Sequence, residues 1–155
     1  MEVNTTRFGE IEVAEEDIFR FPEGVLGFNE LREYALLKLE GEEPLLWLQS
    51  TDEAEVAFVV CDPVRFNSDY RVRVTKEELA SIELDNVSGG RVLVILTLSP
   101  DPSLTTANLQ GPLVFNVRQR LAKQIVATGE GYTTKYRVFA DAAAEAAAEG
   151  NHQQQ

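Results

Sequence analysis

Apolar and polar positions along this chain fall into short runs, few of which keep a helical period. Residues 91–98 read Arg-Val-Leu-Val-Ile-Leu-Thr-Leu, rich in β-branched side chains and too short to span a bilayer. They predict a strand in mid-sheet, buried on both faces. Pro100 and Pro102 fix φ and lack N–H donors, so the ladder must stop there and the chain must turn. It resumes toward a second apolar run over residues 113–117, and the two runs predict a core hairpin.

The remaining pattern is also mainly β. Residues 3–13 alternate around Gly9, which predicts two short strands with Phe8, Ile11 and Val13 inward. Residues 18–21 form a strand-like run entering Pro22-Glu23-Gly24, the signature of a type II turn. Residues 34–39 and 45–49 predict a hairpin, reversed by Gly41 and Pro44, and residues 56–61 predict another strand ended by Asp62-Pro63. Tyr70, Val72 and Val74 alternate with Arg71 and Arg73, as in a half-exposed strand. Thr75 and Glu78 have capping-box spacing ahead of Leu79 and Ile82, which predicts one short helix. Short strands are also expected over residues 124–127 and, at an edge, around Tyr136, Val138 and Phe139. From residue 141 the composition changes to Ala and Glu, then Gln, with no large apolar side chain to dock. This divides the chain into a β domain over residues 1–140 and a tail over 141–155, fraying or disordered.

Charge narrows the partners. Twenty-six acidic residues against fourteen basic ones give a net charge of −12, which repels phosphate backbones and disfavours direct binding of nucleic acid or anionic membrane. The basic cluster Arg118, Arg120 and Lys123 reads as a solvated hairpin end. Cys61 is the single cysteine and lies in an apolar run, as a small buried hydrophobe does. No signal-peptide pattern opens the sequence, so a cytoplasmic protein is expected, monomeric when unbound.

The chemistry on offer is sparse. The only histidine, His152, lies in the tail, which leaves the body without the usual general base, and one Cys with one His cannot make a zinc set. Asp52 with Glu55, or Glu15 with Asp17, are available as paired carboxylates, but each pair reads more simply as solvated surface acid. No catalytic residue, metal or cofactor is expected. Two acidic turns remain as surfaces for a basic protein partner: first Asp52, Glu53 and Glu55, then Glu40, Glu42 and Glu43. They flank one strand, about 17 Å apart at roughly 3.3 Å per residue, so they do not form one patch. A second class of function is a small β-barrel module for a carbohydrate or similar ligand, stacking on Trp47 and Tyr70, although leucines flank Trp47 as in a core strand.

Across residues 3–139 the chain resembles the FliW family of flagellar assembly factors. The resemblance rests on Phe8-Gly9-Glu10-Ile11, Phe21-Pro22-Glu23-Gly24-Val25-Leu26-Gly27-Phe28, Trp47-Leu48-Gln49-Ser50, Asp62-Pro63 and, above all, residues 106–116, Thr-Ala-Asn-Leu-Gln-Gly-Pro-Leu-Val-Phe-Asn. The sequence departs from the family's usual pattern at Ser68, Gly111 and Ala122. The resemblance implies a compact, barrel-like antiparallel β fold that works through protein contacts. It implies binding to flagellin and, when flagellin is scarce, to the RNA-binding translational repressor CsrA, which relieves repression of flagellin translation. Asn108 and Asn116 are expected to bond the backbone and hold the hairpin.

Overall fold

A computed structural model of the chain describes residues 1–127, 129 and 131–139. The tail expected over residues 141–155 lies outside the described residues. In chain order the strands are β1 (Glu2–Thr5), β2 (Gly9–Glu12), β3 (Ile18–Arg20), β4 (Glu33–Lys38), β5 (Leu46–Ser50) and β6 (Ala57–Cys61). A short helix, α1 (Lys76–Ala80), precedes β7 (Arg91–Thr97), β8 (Thr106–Ala107), β9 (Leu113–Asn116), β10 (Leu121–Gln124) and β11 (Tyr136–Arg137).

Seven strands close on themselves. The ladder runs β7-β6-β5-β4-β3-β10-β9, and β9 pairs back onto β7, with Arg91 opposite Phe115 and Leu93 opposite Leu113. The result is a closed seven-stranded barrel. Closure covers most of the edges that an open sheet would expose. One contact is parallel, the single bridge of Leu121 to Arg20 between β10 and β3. β8 and β11 continue from β7 as a flap outside the ring, and β1 pairs β2 as a separate hairpin.

The period of two explains why these strands are apolar on both faces. Inward positions fill the barrel with Phe19, Phe21, Tyr34, Leu48, Val60, Leu93, Leu113 and Phe115. The aromatics meet edge to face, with ring centroids 5.0 Å apart for Phe19 and Phe115 and 5.2 Å for Phe21 and Tyr34. Outward positions are apolar wherever something lies over them. The β1–β2 hairpin brings Val3 and Val13 onto Ile18 and Ala35. Leu79 and Ile82 cover Val114 and Ile125. Tyr70 and Leu109 cover Cys61, Val94 and Leu96. Each large apolar side chain so buried contributes about 1.5–3 kcal/mol.

The capping box forms as its spacing predicts: the Thr75 hydroxyl accepts from the Glu78 N–H, and the Glu78 carboxylate accepts from the Thr75 N–H. Both asparagines of the hairpin bond backbone. Asn108 Oδ1 accepts from the N–H groups of Gln110 and Gly111, 3.0 Å each, while Asn116 Nδ2 donates to Ile82 O at 2.8 Å.

Several local expectations are corrected. Residues 70–74 keep the expected alternation of burial but pair with no strand, since they serve as a cover over β7 rather than as part of the ladder. The strand expected at 124–127 lies at 121–124, because the turn after β9 needs only residues 117–120. The turn at Pro22 is not type II: Phe21 O accepts from Gly24 N–H, and the positive φ of 70° falls on Gly24, the fourth residue, where Glu23 would have to carry it. Gly24 also cannot be replaced freely, since a Cβ there would lie 2.7 Å from the Asn29 Cα. Phe8 does not face inward. It is 39% exposed and sits edge-on to Trp47, which is itself half-buried on the outside of β5.

Candidate protein-interaction site

The two acidic turns bracket β5, as the sequence implies, yet they are built differently. At the C-terminal end of β5, Gln49 is fully buried and its Nε2 donates toward the carbonyls of Ser50 (3.1 Å), Ala54 (3.1 Å) and Val56 (3.3 Å). Ser50 Oγ accepts from the N–H groups of Asp52 (3.1 Å) and Glu53 (3.0 Å), and Thr6 N–H reaches Ala54 O at 3.0 Å. The backbone of the turn is therefore fixed from inside while the side chains of Asp52, Glu53 and Glu55 are exposed. A small cleft of about 200 Å³ beside it is lined by Arg20, Arg32, Glu33 and Asp52, with no apolar wall.

At the other end, Glu40, Glu42 and Glu43 are also exposed, in a turn where Gly41 has φ 79° and the Glu43–Pro44 peptide is cis. Glu42 pairs with Arg7 at 3.5 Å, and the Arg7 guanidinium lies over the rings of Trp47 (5.0 Å) and Phe8 (5.3 Å). This turn has an apolar neighbour. Glu42 and Glu43 rim a cavity of about 740 Å³ walled by Leu45, Val64, Phe66, Leu96, Val138 and Phe139. Val64 is 47% exposed and Phe139 44% exposed. An open apolar groove with a charged rim is what a partner's apolar side chains need for burial, and a rigid acidic turn alone does not supply it.

The sequence did not point to this groove. Its walls come from the turn before β5, the segment after Asp62-Pro63, β7 and the residues after β11, and no single run shows the pattern. The available signal was apolar side chains outside any strand-like alternation, Val64 and Phe66, which a helix or sheet period leaves unexplained.

Reactive groups do not converge on either surface. Cys61 is buried, and that burial pushes its thiol upward, with the Asp62 charge adding to the effect. Tyr34 is fully buried; burial, and secondarily the Asp52 charge, raises its hydroxyl to about 12. Its hydroxyl has no hydrogen-bond partner among the described residues. Burial likewise raises Tyr70, whose hydroxyl donates to Leu109 O at 2.7 Å. The carboxylates of Glu15, Asp17, Asp52 and Glu55 are all exposed. No group of three or more His, Cys, Asp or Glu side chains fit to hold a metal occurs among the described residues. Trp47 and Tyr70 share no platform: Trp47 lies beneath Phe8 and Arg7, while Tyr70 is 3% exposed and packs on Tyr132 in another cluster. No helix among the described residues is long and apolar enough to cross a membrane.

Comparison with known proteins agrees with this architecture. A family model described as FliW protein matches residues 2–138. The chain is 38% identical over 146 residues to a flagellar assembly factor FliW of Leptospira interrogans, covering 94% of this chain and 97% of that protein. It is 45% identical over 143 residues to the flagellar assembly factor FliW of Geobacter sulfurreducens, covering 92% and 89% respectively. A crystal structure of the flagellar assembly factor FliW superposes with a TM-score of 0.81 at 36% identity, covering 89% of this chain and 96% of that one.

Proposed function

The chain belongs to the FliW family of flagellar assembly factors, and on that premise we propose that it regulates flagellin synthesis in the cytoplasm by binding two proteins in turn. Flagellin is one partner, and CsrA is bound when flagellin is scarce, which frees flagellin translation. The factor touches no RNA itself. A net charge of −12 repels RNA, so control through an RNA-binding protein suits it better than contact with the message.

The two ends of β5 suit the two partners. Flagellin offers amphipathic helices, and the groove of Leu45, Val64, Phe66 and Phe139 takes the apolar face of one. CsrA binds RNA and so presents basic surface, which meets Asp52, Glu53 and Glu55 on their fixed turn. The observation that carries this reading is the groove itself, an apolar concavity of about 740 Å³ beside an acidic rim. Across the five residues of β5 the ends lie about 17 Å apart, while a domain of about 100 residues has a radius of gyration of about 13 Å. Two protein partners then collide, and flagellin and CsrA exclude one another by bulk without any change in the barrel.

Calorimetry with purified flagellin and CsrA tests the reading. A saturable complex with each is expected, the CsrA complex weakening steeply with salt and the flagellin complex hardly at all. Absence of both complexes at low ionic strength removes the proposal.

A further inference from the structure

Barrel closure leaves one strand side open. β10 touches β3 at one bridge only, after which residues 22–29 swing away and the chain beyond Gln124 continues extended. Ile125 N–H donates to Pro112 O (3.0 Å) and Ala127 N–H to Gln110 O (2.9 Å). Hydrogen bonds alternate sides along an extended strand, so the N–H and C=O of Val126 point the opposite way. Neither has a partner among the described residues. Leu26 stands beside this stretch, its N–H donating to Gln124 Oε1 at 2.8 Å. Leu26 is 80% exposed and Val126 77%, more than any other large apolar side chain described, and both line one cleft of about 350 Å³ with Asn29 and Thr134.

Exposed edges are normally blunted by a charge or a proline. Residues 124–127 read Gln-Ile-Val-Ala and carry neither. The nearest charges are already engaged, since Lys123 pairs with Glu23 at 3.1 Å. An unblocked pair of backbone groups next to two bare apolar side chains serves no purpose in the barrel.

We propose that this edge is a second docking surface, where an extended segment of a partner protein adds as a strand beside residues 124–127. Its backbone pairs with Val126, and its alternate apolar side chains cover Leu26 and Val126. A second copy of this chain is the poorer occupant, because two bodies each of charge −12 repel. The cleft is lined with amides and the Glu23 carboxylate rather than cations, which disfavours a phosphate ligand. The occupant is thus a neutral or basic strand. This surface is distinct from both ends of β5 and stands or falls independently of the function proposed above.

The probe is a synthetic octapeptide of alternating valine and lysine, added to the isotope-labelled full chain and followed by NMR. Before addition, the Val126 amide should exchange with solvent as fast as an open amide. On saturation it should slow by about tenfold or more, and the Leu26 and Val126 resonances should shift. The fully N-methylated peptide should not bind, and the exposed-site substitutions Leu26→Asp and Val126→Asp should each weaken binding by about tenfold. Leu104→Asp, at another exposed leucine, should leave it unchanged. A Val126 amide already protected in the free chain overturns the proposal, as does a peptide that shifts nothing at millimolar concentration. Equal binding of the N-methylated peptide means apolar adhesion only and overturns it too.

Discussion

The two ends of β5 carry the same kind of residue and different physics. After Ser50, three exposed carboxylates stand on a backbone that a buried glutamine and a serine hydroxyl hold from within. Before Leu46, two of three exposed carboxylates, Glu42 and Glu43, rim a groove of apolar side chains, and Glu42 is tied to Arg7. The first end is a fixed charge array, and the second is an apolar recess with a charged border. What distinguishes them is the buried support beneath each turn, not the acid count that the sequence displays.

The largest effect expected from breaking this contrast lies at Gln49. Gln49→Ala leaves the buried Ser50 carbonyl and the part-buried carbonyls of Ala54 and Val56 without this donor and opens a cavity, costing about 3 kcal/mol of stability by urea denaturation. Amides 52–56 should then exchange faster. Next come Val64→Asp and Phe139→Asp, both at half-exposed groove positions. Each should weaken flagellin binding by about ten- to a hundredfold in calorimetry, leave CsrA binding intact and change stability by less than about 0.5 kcal/mol.

Reversing charge at the fixed end, with Asp52, Glu53 and Glu55 all changed to Lys, should weaken CsrA binding by about tenfold at low salt and progressively less as salt rises, with flagellin unaffected. The smallest effect is at Tyr34, which pairs with Ser50 beneath the same turn. Its buried hydroxyl lacks a partner, so Tyr34→Phe should stabilise the fold by about 1 kcal/mol. Because burial raises the folded hydroxyl to about 12 against an ordinary 10.0, wild-type stability is fully present below pH 10.0 and falls as pH rises toward about 12. Denaturation of Tyr34→Phe across that range should lack this component of the fall.

Much of the barrel was legible because its rule is local. The strand-like runs at 34–39 and 45–49, with Gly41 and Pro44 between them, marked their hairpin, the apolar run at 91–98 marked the strand that pairs on both sides, and Thr75 with Glu78 marked α1. Misreadings came where a segment alternates for a reason other than pairing. Tyr70, Val72 and Val74 alternate because they lie on the outside of the barrel. Phe8 is apolar because it edges Trp47 at the surface, not because it enters the core. The acidic turns could be named from composition, with Glu40 to Glu43 and Asp52 to Glu55 placed at opposite ends of one strand. The groove beside one of them could not, since Leu45, Val64, Leu96 and Phe139 meet only when β5, β6, β7, β8 and β11 assemble side by side.

In the proposed switch, two partners meet opposite ends of one short strand and exclude each other by bulk. Its most direct test is to form the CsrA complex, add flagellin in excess and resolve the products by size-exclusion chromatography with light scattering. The account predicts release of CsrA and a species holding flagellin alone; a stable assembly of all three proteins would contradict it.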